Sequence, residues 1–173
     1  MNGVAVLKLA LESVSRELER ELDGLTTDHL TYRPTDEANT IGFTAWHIIR
    51  MLDGAATRVV PRRDDALLIW ERDGWYERFG MDAKDSGTGF DGEQVGAFKP
   101  DLETLLGYSR AVGAEMPAAF DGLTDGDLDV IPNPEQPNMS FGRRLLVFFA
   151  SHTQYHLGEI RYLKGLQGMP FPR

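Results

Sequence analysis

Four long segments of this 173-residue chain repeat apolar residues at every third or fourth position, and this periodicity limits the possible folds. Such spacing gives an α-helix a single apolar stripe, which must be buried against other elements. No segment shows the strict alternation that is typical of a half-buried strand. The clearest stripe is formed by Leu7, Leu11, Val14, Leu18, Leu22 and Leu25. The pattern predicts an all-helical chain.

The ends of the helices can be predicted from turn-forming and capping residues. Gly24 follows the first helix, Pro61 ends the second, and Ser140 is a favourable N-cap for the last. Pro117 is expected to kink or terminate the third helix, because its ring clashes with the carbonyl four residues back. Residues 66–79 are ambiguous, and one or two short helical turns are expected there. The predicted helices are 3–24, 41–60, 100–117 and 140–166.

The segments 80–99 and 121–138 are rich in glycine, proline and short polar residues, and are predicted to be long loops. Long loops are uncommon in compact domains and often lie over a functional site. Four amphipathic helices with such connections predict an all-α four-helix bundle with long crossover loops. The length suits one domain over residues 1–173, since a second independent core would have little room.

The charge balance argues against several classes of partner. Lys and Arg total 18 against 27 Asp and Glu, a net charge of −9, and no basic stripe for nucleic acid is visible. No apolar stretch approaches the roughly 20 residues that span a bilayer. The first residues lack the basic and apolar regions of a signal peptide. We therefore expect a cytoplasmic protein without nucleic-acid or membrane partners.

The chain contains no cysteine, which excludes disulfides, a cysteine nucleophile and any thiolate metal site. Any metal must therefore be held by His, Asp or Glu. Three of the four histidines occupy positions predicted to face inward, whereas His29 lies in a polar connection and is expected at the surface.

The spacing of these three histidines is typical of a metal site. His152 and His156 are four residues apart on the last helix, hence about 6 Å apart on one face, as two imidazoles must be to share one metal ion. His47 interrupts the apolar stripe of the second helix in the same way. The predicted inward face of the last helix is Phe141, Leu145, Phe148, His152, His156, Glu159 or Ile160, and Leu163.

Other roles for these side chains stay open. A lone histidine on an apolar helix face is more often a hydrogen-bonded core residue than a ligand, although three together favour ligation. Glu159 could accept a hydrogen bond behind an imidazole, act as a ligand, or be a partly solvated carboxylate. Asp53 could orient an imidazole, but a surface charge is the better interpretation. A set of aromatic residues is interpreted as core, with a pocket wall as the alternative: Trp46, Trp70, Trp75, Tyr76 and Phe79.

Several motifs resemble the DinB-like (DinB/YfiT-like) metalloenzyme family. They are Tyr32-Arg33-Pro34, Asn39-Thr40-Ile41-Gly42 leading into Ala45-Trp46-His47-Ile48, and SHTQYHLGEI at 151–160. The resemblance runs from the first helix to the last, and its specific part is one histidine on the second helix followed by HxxxH on the last. The family pattern continues with Arg-Gly-Gln, where this chain has Leu157-Gly158-Glu159.

This resemblance implies a four-helix bundle in which His47, His152 and His156 coordinate one divalent metal, zinc or nickel, with water at the open positions. It also implies a homodimer, and a small-molecule substrate to which a low-molecular-weight thiol such as bacillithiol or mycothiol is transferred. A metal held by three neutral imidazoles keeps its full charge, so a bound thiol or water loses its proton near neutral pH.

We expect the electrophile to be held by the 80–99 loop and the aromatic cluster. Two alternatives stay open, namely metal-dependent hydrolysis and a non-catalytic stress-response or binding bundle. A requirement for added thiol distinguishes transfer from hydrolysis, and a metal without an exchangeable position favours the non-catalytic bundle.

Overall fold

Helices form all the regular secondary structure of the described residues, 1–57 and 66–170, in this computed structural model. The elements are α1 Gly3–Leu22, α2 Thr27–Thr31, α3 Ile41–Thr57, α4 Ile69–Arg72, α5 Trp75–Phe79, α6 Gly92–Ala97, α7 Leu102–Ala119, α8 Asp125–Leu128, α9 Phe141–Arg144, the π-helical segment Leu145–Ser151 and α10 His152–Leu166. The last three are continuous, and we call them together the last helix.

The four long helices α1, α3, α7 and the last helix form a bundle around one hydrophobic core. Each packs mainly against two neighbours, in the order α1, α7, α3, last helix and back to α1. The first and second long helices therefore face each other across the bundle, as do the third and fourth. The chain must cross an end of the bundle between the two helices of each such pair, which explains the length of the connections 23–40 and 120–140. The predicted all-α four-helix bundle with long crossovers is confirmed.

The predicted stripe of α1 is buried from Leu7 to Leu25, with side chains at most 8% exposed. Burying each such leucine stabilises the fold by about 1.5–3 kcal/mol. Asn2 caps the helix by accepting a hydrogen bond from the Ala5 amide. None of the described helices combines the length and the apolarity that crossing a membrane requires.

The predicted connections contain short helices. In 80–99, 121–138 and the polar segment before α3, the structure has α6, α8 and α2 respectively. Each begins with a capping box. In this motif the side chain of the N-cap residue and the side chain three residues later each accept a hydrogen bond from the other residue's backbone amide. Such local polar signals start a helix without a long apolar stripe, which is why the periodicity did not predict these three.

The predicted helix ends differ from the structure by one or two residues. α7 is capped by Asp101, which accepts from the Thr104 amide, so Pro100 precedes the helix instead of lying in its first turn. The helix continues two residues beyond Pro117. The second helix, α3, is described to Thr57, and the predicted stop at Pro61 lies outside the described residues.

The π-helical segment changes which residues of the last helix face the core. Its wider turns rotate the preceding residues relative to a regular α-helix. Phe148, predicted to face inward, is 47% exposed, while Ala150 and Thr153 are buried. The Thr153 hydroxyl donates to the Ala150 carbonyl, 3.1 Å away, at the end of this segment. His152 and His156 consequently lie at the edge of the buried face and are half-buried.

The interpretation of Asp53 as a surface charge is wrong, because its side chain is completely buried. It accepts hydrogen bonds from the amides of Ile69 (3.0 Å) and Trp70 (2.8 Å) and from the Tyr108 hydroxyl (2.6 Å). The two amides belong to the first turn of α4, whose own N-cap residue supplies no side-chain hydrogen bond. Asp53 therefore caps a helix distant in sequence and does not orient an imidazole.

We expect Asp53→Ala to lower the free energy of unfolding by about 3–5 kcal/mol, because it leaves two buried amides without their acceptor and removes the carboxylate 3.9 Å from the buried Arg50 guanidinium. Tyr108→Phe removes one donor and keeps the carboxylate, so we expect a loss of about 1–2 kcal/mol. Urea unfolding followed by circular dichroism measures both. Equal losses for the two variants would contradict the capping role of Asp53.

Candidate metal centre

The three histidines predicted as ligands lie together between α3 and the last helix. Nε2 of His152 is 3.2 Å from Nε2 of His47 and 3.2 Å from Nε2 of His156. One ligand atom from each residue lies within 4.8 Å of the others. His29 is elsewhere, since its Nδ1 accepts from the Thr26 amide in the capping box of α2. The structure therefore brings together the three histidines and leaves out the fourth.

Hydrogen bonds to the outer nitrogens orient two of these rings. Nδ1 of His47 is 2.7 Å from the Ser86 carbonyl oxygen, and Nδ1 of His156 is 2.8 Å from Oε2 of Glu159. A carbonyl oxygen and a carboxylate only accept, so both Nδ1 atoms carry the hydrogen. When these rings are neutral, each Nε2 presents a lone pair toward the centre of the cluster.

The centre of the cluster therefore has fewer N–H donors than lone pairs that could accept from them. Nε2 of His152 can donate to one neighbouring lone pair, but its single hydrogen cannot serve both His47 and His156. A cation among the three nitrogens satisfies all of them at once. Two imidazole ligands about 2.0–2.1 Å from a tetrahedral zinc ion lie about 3.3 Å apart, close to the separations found here. The donor set thus fits a divalent transition metal and leaves coordination positions open.

Burial keeps the rings in the neutral form that ligation requires. It lowers the pKa of His47 to about 4, an effect that the Ser86 carbonyl opposes and that His156, His152 and Arg50 reinforce. Burial and the neighbouring His156 also lower the pKa of His152. Both rings are therefore uncharged near neutral pH, so a metal need not displace their protons.

Glu159 lies behind His156 and is not one of the three converging groups. Its Oε2 accepts from His156, while its Oε1 accepts from the side-chain amide of Asn39, 2.9 Å away. Burial by itself would raise the pKa of Glu159. The hydrogen bonds from His156 and Asn39 outweigh this effect, so the pKa of the carboxyl lies below its ordinary value. The carboxylate stays charged and connects the segment before α3 to the centre.

The 80–99 segment supplies a partner that the sequence did not reveal. Gly87 has a positive φ of 79°, and a Cβ there would lie 2.9 Å from the Trp46 ring and 3.0 Å from Nδ1 of His47. Only glycine lets this backbone approach closely enough for Ser86 to accept from His47. The glycine-rich composition was the only signal of this contact, since a backbone acceptor has no sequence signature.

Aromatic residues pack behind His47 on the side away from the last helix. The Phe43 ring is stacked on His47, with centroids 6.2 Å apart, and it also contacts Phe90. Trp46, Trp70 and Trp75 are buried, while Tyr76 and Phe79 are partly buried against the core. The interpretation as core residues is confirmed for the three tryptophans, whereas Phe79 also lines a cleft.

Comparison with known proteins identifies the family of this chain. The sequence model of the DinB superfamily matches residues 10–160. The chain belongs to the DinB superfamily. No curated protein matches it significantly. The fold is similar to the crystal structure of a conserved protein from Enterococcus faecalis, with a TM-score of 0.80 and 18% identity, over 96% of this chain and 97% of that one. At this identity the likeness concerns the fold alone.

We expect this DinB-superfamily protein to bind about one divalent transition metal per chain, and His152→Ala to weaken that binding by at least about 100-fold, because His152 faces both other ligands. His29→Ala is the matched control and should bind metal like the wild type. Elemental analysis and metal titration measure this, with helical circular dichroism showing that the bundle is retained. Equal metal content in the two variants would exclude the three-histidine centre.

We expect the metal-free DinB-superfamily protein to lose stability as pH falls from about 6.5 to about 4. The folded pKa of His47 lies below its ordinary value of 6.5. The unfolded chain therefore takes up the proton first, and the contribution of this group is complete above about pH 6.5 and lost toward pH 4. It amounts to about 3 kcal/mol. The free energy of unfolding, measured in urea at several pH values across this range, should depend less steeply on pH in His47→Gln than in the wild type. In His29→Gln its dependence on pH should be unchanged.

Proposed function

We propose that this protein is a metal-dependent enzyme that transfers a low-molecular-weight thiol to a small electrophile. The observation that carries the proposal is the convergence of three Nε2 atoms, of which those of His47 and His156 present lone pairs because Ser86 and Glu159 take their Nδ1 hydrogens. Zinc and nickel suit such nitrogen ligands. When bound, a divalent metal lowers the pKa of a coordinated thiol or water and so provides a nucleophile near neutral pH.

The chain's own residues hold and orient the ligands. α3 is buried almost all round and presents His47 from a rigid element, while the Ser86 carbonyl keeps the His47 proton at Nδ1. Glu159 keeps the His156 proton at Nδ1 in the same way. In the transfer, the thiol releases its proton to solvent, its sulfur forms a bond to an electrophilic carbon, and the leaving group departs from that carbon with the electron pair. No thiol side chain competes with the cosubstrate in this cysteine-free protein.

A cleft of about 390 Å³, lined in part by Ser86, supports a small-molecule substrate. Met51 and Gly54, the two residues of α3 that are not buried, line it together with Phe149 and with Ser86, which also accepts from His47. Met51 and Phe149 give it an apolar wall, and Arg50, Glu71 and Lys84 are charged residues of its lining. We propose that the electrophile binds here, its apolar body against Met51 and Phe149.

A second cleft, of about 500 Å³, is lined by the aromatic residues Phe79, Phe90 and Phe98 of the 80–99 region and its surroundings. It is the alternative position for the electrophile, as expected from the aromatic cluster.

We place the protein in the cytoplasm, where low-molecular-weight thiols are kept reduced and available as cosubstrates.

The experiment is a transfer assay with a chromogenic aryl halide and a panel of low-molecular-weight thiols. We expect conjugate formation to require both the metal and the thiol, and His152→Ala to lower kcat/KM by at least about 100-fold. His29→Ala should retain full activity. Met51→Lys, which puts a charge on the apolar wall, should raise KM for the halide without removing the metal.

Other outcomes favour the alternative functions. Metal-dependent turnover of an ester without added thiol would replace transfer by hydrolysis. A bound metal that exchanges no ligand with added thiol, together with no turnover of either substrate, would indicate the non-catalytic bundle.

A further inference from the structure

A polar side chain from the segment just before α3 lies behind His156 and Glu159. The side-chain amide of Asn39 donates to Oε1 of Glu159, 2.9 Å away, while Oε2 of Glu159 accepts from Nδ1 of His156 at 2.8 Å. The nitrogen of the Asn39 amide faces Glu159, because a carboxylate only accepts. The three side chains therefore form a hydrogen-bonded row that ends at one of the three converging histidines.

Glu159 needs the hydrogen bond from Asn39 to stay in place behind His156. The Glu159 side chain is 31% exposed, so water competes with His156 for its carboxylate. A glutamate side chain also has several rotatable bonds, and holding it in one conformation costs entropy. A single hydrogen bond to His156 would leave the carboxylate free to turn. The second hydrogen bond, from Asn39, fixes both carboxylate oxygens.

The acceptor at Nδ1 decides which nitrogen of His156 carries the hydrogen. A neutral imidazole has a single N–H group, and the hydrogen bond made by one nitrogen sets the state of the other. While Glu159 accepts from Nδ1, Nε2 keeps the lone pair that faces Nε2 of His152. If this acceptor turned away, the hydrogen could move to Nε2, where it would block a metal ion.

The backbone on the N-terminal side of Asn39 is held by Arg33. The Arg33 guanidinium donates to the carbonyl oxygen of Ala38, 2.9 Å away, and to the carbonyl oxygen of Asp36. The helix α6 packs closely on this loop, since a Cβ at Gly92 would lie 2.5 Å from the Asp36 carbonyl oxygen. The loop that leads to Asn39 is therefore fixed by two hydrogen bonds and by a neighbouring helix.

The backbone on the C-terminal side of Asn39 is held by α3. Thr40 directly follows Asn39, and its hydroxyl accepts from the Phe43 amide at 3.0 Å, so it caps that helix. The same helix presents His47. The Asn39 side chain thus starts from a backbone whose position relative to the centre is fixed, and this lets its amide hold Glu159 in one orientation.

We propose that Asn39 is a positioning residue of the metal centre. It holds Glu159, and through Glu159 it keeps the His156 hydrogen at Nδ1, so that Nε2 is free to bind the metal. This role depends on the amide donor of Asn39 and not on its volume. The inference rests on the metal centre of the proposed function, but its readouts need no substrate, so its failure and a failure of the transfer reaction are distinguishable.

Nuclear magnetic resonance of the metal-free protein with nitrogen-labelled histidines, at about pH 8 where an ordinary histidine is neutral, reports the tautomer of each ring. We expect Nδ1–H for His156 in the wild type and a shift toward Nε2–H in Asn39→Leu, which keeps the approximate volume and removes the donor. His47 is the internal reference and should keep Nδ1–H, since its acceptor is Ser86. Asn138→Leu, the same change at an exposed asparagine, is the matched control and should leave both tautomers unchanged.

Zinc titration measures the consequence for the metal. Asn39→Leu should bind zinc at least about tenfold more weakly than Asn138→Leu, with the helical circular dichroism of both retained. Asn39→Asp combined with Glu159→Gln exchanges the amide and the carboxylate at unchanged total charge, so an oxygen can still accept from His156. This double variant should keep the Nδ1–H tautomer and bind zinc more tightly than Asn39→Leu.

Three results would overturn the proposal. The first is an unchanged His156 tautomer in Asn39→Leu. The second is equal zinc affinity in Asn39→Leu and Asn138→Leu. The third is a double variant that binds zinc as weakly as Asn39→Leu, because the exchange restores the hydrogen bonds and should therefore restore the position of the ring.

Discussion

The burial of α3 is the constraint on which the rest of the structure depends. This helix carries His47, Arg50 and Asp53 at intervals of three residues, hence on one side, within an otherwise apolar core. Each needs a partner there, because an unpaired buried polar group is costly. The partners are successive pieces of the chain between α3 and α7: the amides of α4 for Asp53, the Asp85 carbonyl for Arg50 and the Ser86 carbonyl for His47. The same polar groups thus organise the connection and orient one imidazole.

The last helix has three sides with different surroundings. One side is buried in the core, and another exposes Tyr155 and Tyr162 to solvent. The two histidines and Glu159 lie at the edge between them and are half-buried, so the centre of the cluster can be reached from solvent. The π-helical segment just before His152 sets this arrangement, because its wider turns rotate Phe148 out of the core. A regular helix would have kept Phe148 and the histidines on one inward face.

Much of the centre could be predicted from residue types and their spacing. Two imidazoles at helical spacing of four must share a face, and the absence of cysteine leaves imidazoles as the natural ligands. The acceptors of these imidazoles are harder to predict. Ser86 acts through its backbone, which carries no residue-specific signal. Asp53 resembles a surface charge in a helical pattern, since its partners lie 16 and 17 residues away and on another helix.

Hydrophobic periodicity is sufficient to establish four helices, their apolar stripes and the three histidines that interrupt them, because these depend on a local repeat of 3.6 residues. Tertiary structure alone decided the order of the helices around the bundle, the burial of Asp53 and the tautomers of His47 and His156. Each of these depends on contacts between residues far apart in the chain, where a hydrogen bond or a close backbone approach leaves no period in the sequence.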